Sequence, residues 1–316
     1  MINQSISKNQ TVSCPVCESS AISSFIKTKA QMHNDEEIFN FDQCRECDFV
    51  FLNPRVPKKK LKHYYTSYYL PYRGSNAWGK YKGLVEKSQK KLDLKRLKLL
   101  KELLDLTKDS VILDIGCGQP SFLKVCNDHS GCHSIGLDFS DEGWKNNPVT
   151  YSQLDLKIGE IKNLTTEIQP DVISMWHYLE HDYKPFENLK HLKSISKSNT
   201  KLIIEVPNFN SESRKYFGEH WAGWHTPRHT SLFSPKNIEL LLNKSGWKVN
   251  KLYNHGTMDP YLLQWMSKME QENISWNKNM EDEFLSFVMG MFKFFPKKLN
   301  EKRTSLGIMT VIAEPY

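Results

Sequence analysis

Residues 111–138 constrain this chain more than any other stretch. Val111-Ile-Leu-Asp-Ile-Gly-Cys-Gly118 is an apolar run that closes in a glycine turn. A helix pattern follows, then a second apolar run, His133-Ser-Ile-Gly-Leu-Asp138, which ends in a carboxylate. Strand, glycine turn, helix and strand together read as one β-α-β unit of a buried parallel sheet. Glycine has no Cβ, so the backbone at such a turn can approach a ligand closely. An acidic side chain at the tip of the next strand can accept hydrogen bonds from both hydroxyls of a ribose. The unit therefore points to nucleotide-type chemistry at the carboxyl ends of the strands.

The spacing narrows the cofactor. A dinucleotide turn needs G-x-G-x-x-G, but Gly116 and Gly118 are followed by Gln119-Pro120-Ser121, without the third glycine. Asp114 stands two residues before the first glycine, where a carboxylate would repel a pyrophosphate and suit a cationic amino group. S-adenosylmethionine carries an amino group, a sulfonium and a ribose, and no phosphate. At these residues the chain resembles the class I S-adenosylmethionine-dependent methyltransferases, whose first motif has the form D-x-G-x-G. The resemblance implies that Asp114, Gly116 and Gly118 cradle the methionine part, with Cys117 between them. It also implies that Asp138 holds the ribose, with Phe139 beside it. The family's third small residue falls at Pro120. Proline suits the first turn of a helix, where its missing N–H has no partner to lose, so the turn is expected to survive.

Four of the seven cysteines form two C-x-x-C units, Cys14-Pro-Val-Cys17 and Cys44-Arg-Glu-Cys47, with twenty-six residues between them. Four thiolates fill a tetrahedral zinc site and leave no position for water, which implies a structural ion. Residues 1–56 are too short to build a core alone, so the metal would supply their folding energy. The runs Ser24-Phe25-Ile26 and Phe39-Asn40-Phe41 read as strands, and Phe49 to Pro54 as the exit strand. Paired C-x-x-C units and an odd cysteine count suit a reducing compartment, and a cytoplasmic location is expected. Met1 to Val12 is polar with no apolar core, so no signal peptide is expected. No run of eighteen apolar residues occurs, which excludes a membrane-spanning helix. The net charge of +7 would suit an anionic acceptor or a nucleic acid. The lysines are nevertheless scattered as a solvated surface, and the runs at Lys58–Lys60 and Lys297–Lys298 are too short for a binding track.

The rest of the chain continues the alternation. Residues 57–110 form a connector with a tyrosine cluster, Tyr64, Tyr65, Tyr68 and Tyr69, and an amphipathic helix over Lys90–Asp105 that buries Leu97, Leu100 and Leu104. Within residues 111–316, strands are expected at 170–175, 200–207, 247–253 and 306–313, the last antiparallel. A helix is expected from Pro235, with Ser234 before it and Gly246 after it. Substrate-side insertions fall at 208–233 and 254–303. The second, rich in Phe and Met, reads as helices covering one another, or as a hydrophobic acceptor pocket or a surface for a homodimer. The expected fold is thus α/β: a class I, Rossmann-like sheet with helices on both faces, preceded by a small zinc-binding module.

Trp176-His-Tyr-Leu-Glu-His181 follows the strand at 170–175 and resembles the W-H-x-L-E-H segment of one methyltransferase subfamily. There Trp176 and His177 would line the methyl-transfer face, and Glu180 and His181 would begin the next helix. Glu160 lies where the family contacts the adenine, with Asp155 as its competitor. Pro227, Arg228, His229, Phe233 and Ser234 match the subfamily's P-R-H-x-x-x-F-S run. An acceptor must lose a proton during methyl transfer, and histidine has a suitable pKa. His229 is the first candidate base and His225 the second, with His181 a third catalytic candidate. Arg228 could pair with an anionic acceptor through its planar fork. The resemblance extends in part to sugar C-methyltransferases, which also carry a zinc knuckle. Their tyrosine falls at Thr226 here, which favours O-methylation of a sugar, nucleotide-sugar or natural-product or polysaccharide precursor over C-methylation. Two rivals remain at this point. One is a ribosomal or transfer RNA base methyltransferase, which lacks here its N-P-P-Y-type run and its Pro-Cys dipeptide. The other is a non-catalytic module on the same fold. No catalytic cation cluster is visible in the sequence.

Overall fold

The computed structural model describes residues 10–316, so Met1–Asn9 of the polar N-terminal stretch lie outside the described residues. The chain opens with three strands, β1 (Ile22–Lys29), β2 (Ile38–Cys44) and β3 (Val50–Leu52). Two one-turn helices follow, α1 (Lys58–Leu61) and α2 (Leu70–Arg73), then the long α3 (Lys82–Lys101). The alternating part runs β4 (Val111–Ile115), α4 (Ser121–Ser130), β5 (His133–Asp138), β6 (Asp155–Ile158), β7 (Val172–Trp176), α5 (Pro185–Ser194) and β8 (Lys201–Pro207). The first insertion holds α6 (Glu212–Phe217) and the two-residue β9 (Ser231–Leu232). Then come α7 (Pro235–Lys244), β10 (Trp247–Tyr253), α8 (Pro260–Gln271), α9 (Phe284–Lys298) and β11 (Ile308–Pro315).

Seven strands form the large sheet in the order β10-β11-β8-β7-β4-β5-β6. The pairs from β8 through β6 are parallel, and β11 lies antiparallel between β8 and β10. Both faces of the central strands are covered, which is why β4, β7 and β8 are near-continuous Val, Ile, Leu and Met runs rather than alternating ones. The chain leaves β4 toward β5 on one side and returns to β7 on the other. Such a reversal opens a crevice at the carboxyl ends of the two central strands. Asp114 and Trp176 sit at those ends.

The helix boundaries follow local chemistry. Ser234 caps α7 by accepting from the Asn237 N–H, and Pro235 occupies the first turn. Gly131, in a left-handed conformation with φ 67°, ends α4. Two expectations are corrected. Pro120 is the residue before α4, with φ −80° and ψ 39°, not its first helical residue. Glu180 and His181 do not begin the next helix. They belong to a separate 3-10 turn, Leu179–His181, and α5 starts only at Pro185. The cause is His177, whose φ of 56° breaks the backbone at the tip of β7. His177 donates its N–H to the Glu205 carbonyl on β8, which fixes that turn.

The small sheet has the order β1-β2-β3-β9, all antiparallel. Its last strand comes from the 208–233 insertion, so Val50 and Phe51 pair with Leu232 and Ser231. The cysteine cluster packs into the same core as Phe233, Ile238 and Leu242. In the second insertion, α8 and α9 bury Tyr261, Trp265 and Phe294 against Trp78. The outer face of α9 leaves Leu285, Met289, Phe292 and Phe295 exposed, and Leu299 just after it is exposed too. Among the described residues, no helix is long and apolar enough to cross a membrane.

Candidate active site

Asp114 is buried near the end of β4, opposite Gly136 on β5 and Ser174 on β7. Its carboxyl group accepts a hydrogen bond from Ser174 Oγ at 2.6 Å. Burial pushes its pKa up to about 7, against the opposing pull of Ser174 and Arg96. A carboxylate so enclosed is short of a cation, and an ammonium group would supply one. The glycine turn then reverses the chain. Gly116 and Gly118 have φ of 71° and 47°, a region other residues enter at a cost. A Cβ on Gly116 would lie 2.3 Å from the Tyr178 ring, so side chain and turn are in direct contact. Asp138 accepts from the Gly118 N–H at 2.9 Å and the Ser140 N–H at 3.2 Å. It is half-buried at the tip of β5, and burial raises its pKa. A buried carboxylate for an ammonium, glycines without Cβ and a carboxylate for a ribose fit the groups of S-adenosylmethionine.

On the other side of β7 lies a chamber of acids and histidines. His177 is held between two glutamates, with Nε2 at 3.2 Å from Glu205 Oε1 and Nδ1 at 3.4 Å from Glu180 Oε1. The two carboxylates outweigh burial and raise its pKa to about 9. Glu205 is saturated: it accepts from the Thr257 N–H and hydroxyl, the Met258 N–H and the Thr310 hydroxyl. His177 and these donors hold its pKa down at about 2 in spite of burial. Glu180 is the opposite. It is 1% exposed and neither carboxylate oxygen has a hydrogen-bond partner.

His229 and His181 complete the chamber, their rings 4.5 Å apart and edge to face. His229 Nδ1 is paired with the Gly223 carbonyl at 2.8 Å, and His181 Nδ1 with the Arg228 carbonyl at 3.1 Å. A carbonyl can only accept, so each Nδ1 carries the proton and each Nε2 keeps its lone pair. His225, left-handed with φ 41°, shares a 2.7 Å hydrogen bond with the Tyr69 hydroxyl. Burial is the main reason that His225 and His229 are both pushed well below the ordinary histidine pKa. The three candidate histidines, from segments more than forty residues apart, are thus brought together and kept neutral.

Arg228 is corrected. It is completely buried and donates to the carbonyls of Tyr64 and Gln31, with its guanidinium over the Tyr69 ring at 4.6 Å. It pins the tyrosine connector and the first module onto the chamber and is not available to an anionic acceptor.

The remaining cofactor candidates are distributed unevenly. The Cys117 side chain is buried beneath Gly136, so only its backbone belongs to the turn. Phe139 is exposed and packs on Tyr65 at 5.8 Å. Glu160 lies on the surface, paired with Lys58 and Lys162, which lower its pKa to about 2. Trp176 is buried between Phe122 and Arg96. Glu205 and Thr257 were not singled out from the sequence, and Tyr69 only as one of the connector's tyrosine cluster. A lone Glu in the apolar run Leu202–Val206 is the signal that could have found the first. Nothing local marks Thr257.

At the cysteine cluster, Cys14 and Cys47 sulfurs are 3.6 Å apart, and those of Cys17 and Cys44 are 3.4 Å apart. One ligand atom from each of the four falls within 4.8 Å of the others. Sulfurs around zinc at about 2.3 Å stand roughly 3.8 Å apart, so the donor set and spacing fit that ion. Each knuckle closes on a left-handed residue, Glu18 or Asp48.

A family model described as a methyltransferase domain matches residues 85–252. No curated protein is significantly similar in sequence. Among solved structures, the chain is similar to one in the complex between the Haloferax volcanii Trm112 methyltransferase activator and the putative methyltransferase. That match has 16% identity and a TM-score of 0.49, over 78% of this chain and 98% of the other. A SAM dependent methyltransferase from Archaeoglobus fulgidus matches with 19% identity and a TM-score of 0.44, over 71% of this chain and 94% of the other. A putative sarcosine dimethylglycine methyltransferase from Galdieria sulphuraria matches with 13% identity and a TM-score of 0.48, over 73% and 87%.

Proposed function

The chain belongs to the methyltransferase family and is an S-adenosylmethionine-dependent enzyme, and we propose that it methylates a hydroxyl of a small polar molecule. The acceptor class is a sugar, a nucleotide-sugar or a precursor of a polysaccharide or natural product. One observation carries this reading: a chamber beside the cofactor turn holds histidines with bare Nε2 atoms and a carboxylate without hydrogen bonds. A polyhydroxylated molecule offers the donors that such a chamber lacks.

When bound, S-adenosylmethionine supplies a sulfonium methyl group open to in-line displacement. Asp114 pairs with its ammonium group, Gly116 and Gly118 let the backbone approach, and Asp138 accepts from the ribose hydroxyls. Cys117 contributes its backbone, and Phe139 and Tyr65 lie over the mouth beside Asp138. His177, locked between Glu180 and Glu205, fixes the tip of β7 between the two halves of the site. The acceptor hydroxyl faces Nε2 of His229, which takes its proton as the oxygen attacks. His181 and His225 position His229 and close the chamber.

O-methylation is favoured over C-methylation by Thr226. Where the sugar C-methyltransferases carry a tyrosine, this chain has a hydroxyl buried in a 2.7 Å bond to Thr28. It cannot reach an acceptor. The four cysteines would hold a structural zinc ion within the first module, which the β3–β9 pairing joins to the insertion carrying His225 and His229.

The test begins with calorimetric titration of S-adenosylhomocysteine, then methyl transfer to a panel of hydroxylated sugars and nucleotide-sugars. Binding at one site per chain and transfer to a hydroxyl are expected. His229→Ala should keep cofactor binding and slow turnover by roughly a hundredfold. Unchanged turnover would place the proton acceptor elsewhere, and methylation at carbon would overturn the acceptor class.

A further inference from the structure

Glu180, His181 and His229 form a ligand set that the sequence did not reveal, because Glu180-His181 and His229 come from opposite ends of a fifty-residue stretch. A ligand atom from each lies within 4.8 Å of the others. Both imidazoles are oriented from behind, each Nδ1–H on a backbone carbonyl, at 3.1 Å for His181 and 2.8 Å for His229. That is the arrangement by which proteins fix a metal-binding histidine, since it aims the Nε2 lone pair. Glu180 Oε1 lies 3.9 Å from His229 Nε2 and 3.4 Å from His177 Nδ1, without hydrogen-bond geometry to either. Glu180 is 1% exposed, and neither of its carboxylate oxygens has a hydrogen-bond partner. A buried carboxylate left without hydrogen bonds is costly, and a coordinated cation would offset that cost.

We propose that Glu180, His181 and His229 bind a divalent metal ion of borderline softness, with at least one coordination position open to the acceptor hydroxyl. Two imidazoles and a carboxylate are a catalytic donor set, short of the fourth ligand that a structural site would have. Ligands at about 2.1 Å from a common ion stand roughly 3.4 Å apart, so small side-chain movements close the set. The proposal rests on the reading that this chamber receives a hydroxyl. A metal-coordinated hydroxyl is more acidic, as metal-bound water is. Its proton leaves to solvent, and the alkoxide oxygen forms the new O–C bond. The C–S bond breaks, and its electron pair stays on sulfur, giving the thioether. His229 then serves as a ligand instead of a base.

The experiment equilibrates the full chain with zinc, or with cobalt as a spectroscopic probe, removes excess metal by gel filtration and measures metal content by mass spectrometry. About two ions per chain are expected: one with thiolate-to-cobalt charge transfer and one without it. Glu180→Gln and, independently, His181→Gln should each lose the ion without thiolate character. Cys44→Ser should lose the other. S-adenosylhomocysteine titration of each variant reports whether the fold survives. A single ion per chain in the wild type, with only the thiolate signature, would overturn the proposal. So would two ions that both persist in the folded Glu180 and His181 variants. Turnover that survives chelation, in protein shown to have lost the second ion, would return His229 to the role of base. A second ion in a protein that methylates no hydroxyl would sustain the metal site and sink the acceptor reading instead.

Discussion

The four-cysteine cluster and the histidine chamber both gather ligand-bearing side chains, and they do so in opposite ways. The cysteines come in two C-x-x-C turns, each complete within a few residues, and two strands bring the turns together. The chamber has no local template. His177, Glu180 and His181 sit on a strained turn after β7, Glu205 on β8, and His225 and His229 on an insertion that completes another sheet. The cluster offers four soft sulfurs, the set that would fill every position of a tetrahedral ion and hold structure. The chamber offers nitrogen and oxygen atoms without filled partners, the set of a site that can act on something. Their common element is β9, which joins the small sheet to the loop carrying His229. The contrast teaches that the knuckle supports the chamber, and that damage to the first should propagate to the second.

The largest expected effect breaks that link. Cys44→Ser should release the zinc and remove most of its folding contribution, on the order of 10 kcal/mol in apparent terms for structural zinc sites. Thermal melts with and without chelator would show it. A melt and metal content equal to those of wild type would leave the cluster as four free thiols, with nothing to compare.

A smaller effect isolates the cofactor side. Asp114→Asn should weaken S-adenosylhomocysteine binding by roughly ten- to a hundredfold, the size of a charged hydrogen bond of about 1.5–3 kcal/mol. The pH dependence carries a sign. The free carboxyl has its pKa raised to about 7 by burial, and the ammonium group binds its ionised form. Affinity should therefore rise with pH up to about 7, level off above it, and lose this dependence in the variant. Calorimetry across that range decides, and a flat wild-type profile would remove Asp114 from the ammonium site.

The smallest effect concerns the clamp between the first module and α8. Glu270 accepts from the Met32 N–H at 2.7 Å, and burial raises its pKa to about 7. A carboxyl group whose pKa is raised on folding contributes stability below its unfolded value, and that contribution is lost as pH rises through about 7. Glu270→Gln keeps an acceptor and removes the charge. Its melting temperature should fall less than that of wild type between pH 5 and about 8. Parallel profiles for the two proteins would show that Glu270 ionises freely.

Much of the cofactor half could be read directly. Val111 to Gly118 and His133 to Asp138 lie within one β-α-β unit, so neighbouring residues meet there because they are neighbours. The cysteine turns were legible for the same reason. Helix starts were less so. A helix from Glu180 suited the acidic first turn expected of helices, but the left-handed His177 and its bond to the Glu205 carbonyl separate that turn from α5. Arg228 read as an anion fork on chemistry alone. Its partners, Tyr64 and Gln31, lie more than one hundred and sixty residues away, and no pattern near it announces them.

By itself the sequence determined the sheet, its cofactor turn, the family and the positions of the four thiols. Each of these depends on local periodicity or on spacing within one unit, which the chain carries wherever it folds. Only the tertiary structure decided that Glu180 is buried without a hydrogen-bond partner, that His181 and His229 face it with their lone pairs, and that Glu205 holds His177. Those facts depend on which strand tips and loops are packed into one volume. Burial, not residue type, decides whether a carboxylate there is a capping group or a site in want of a cation.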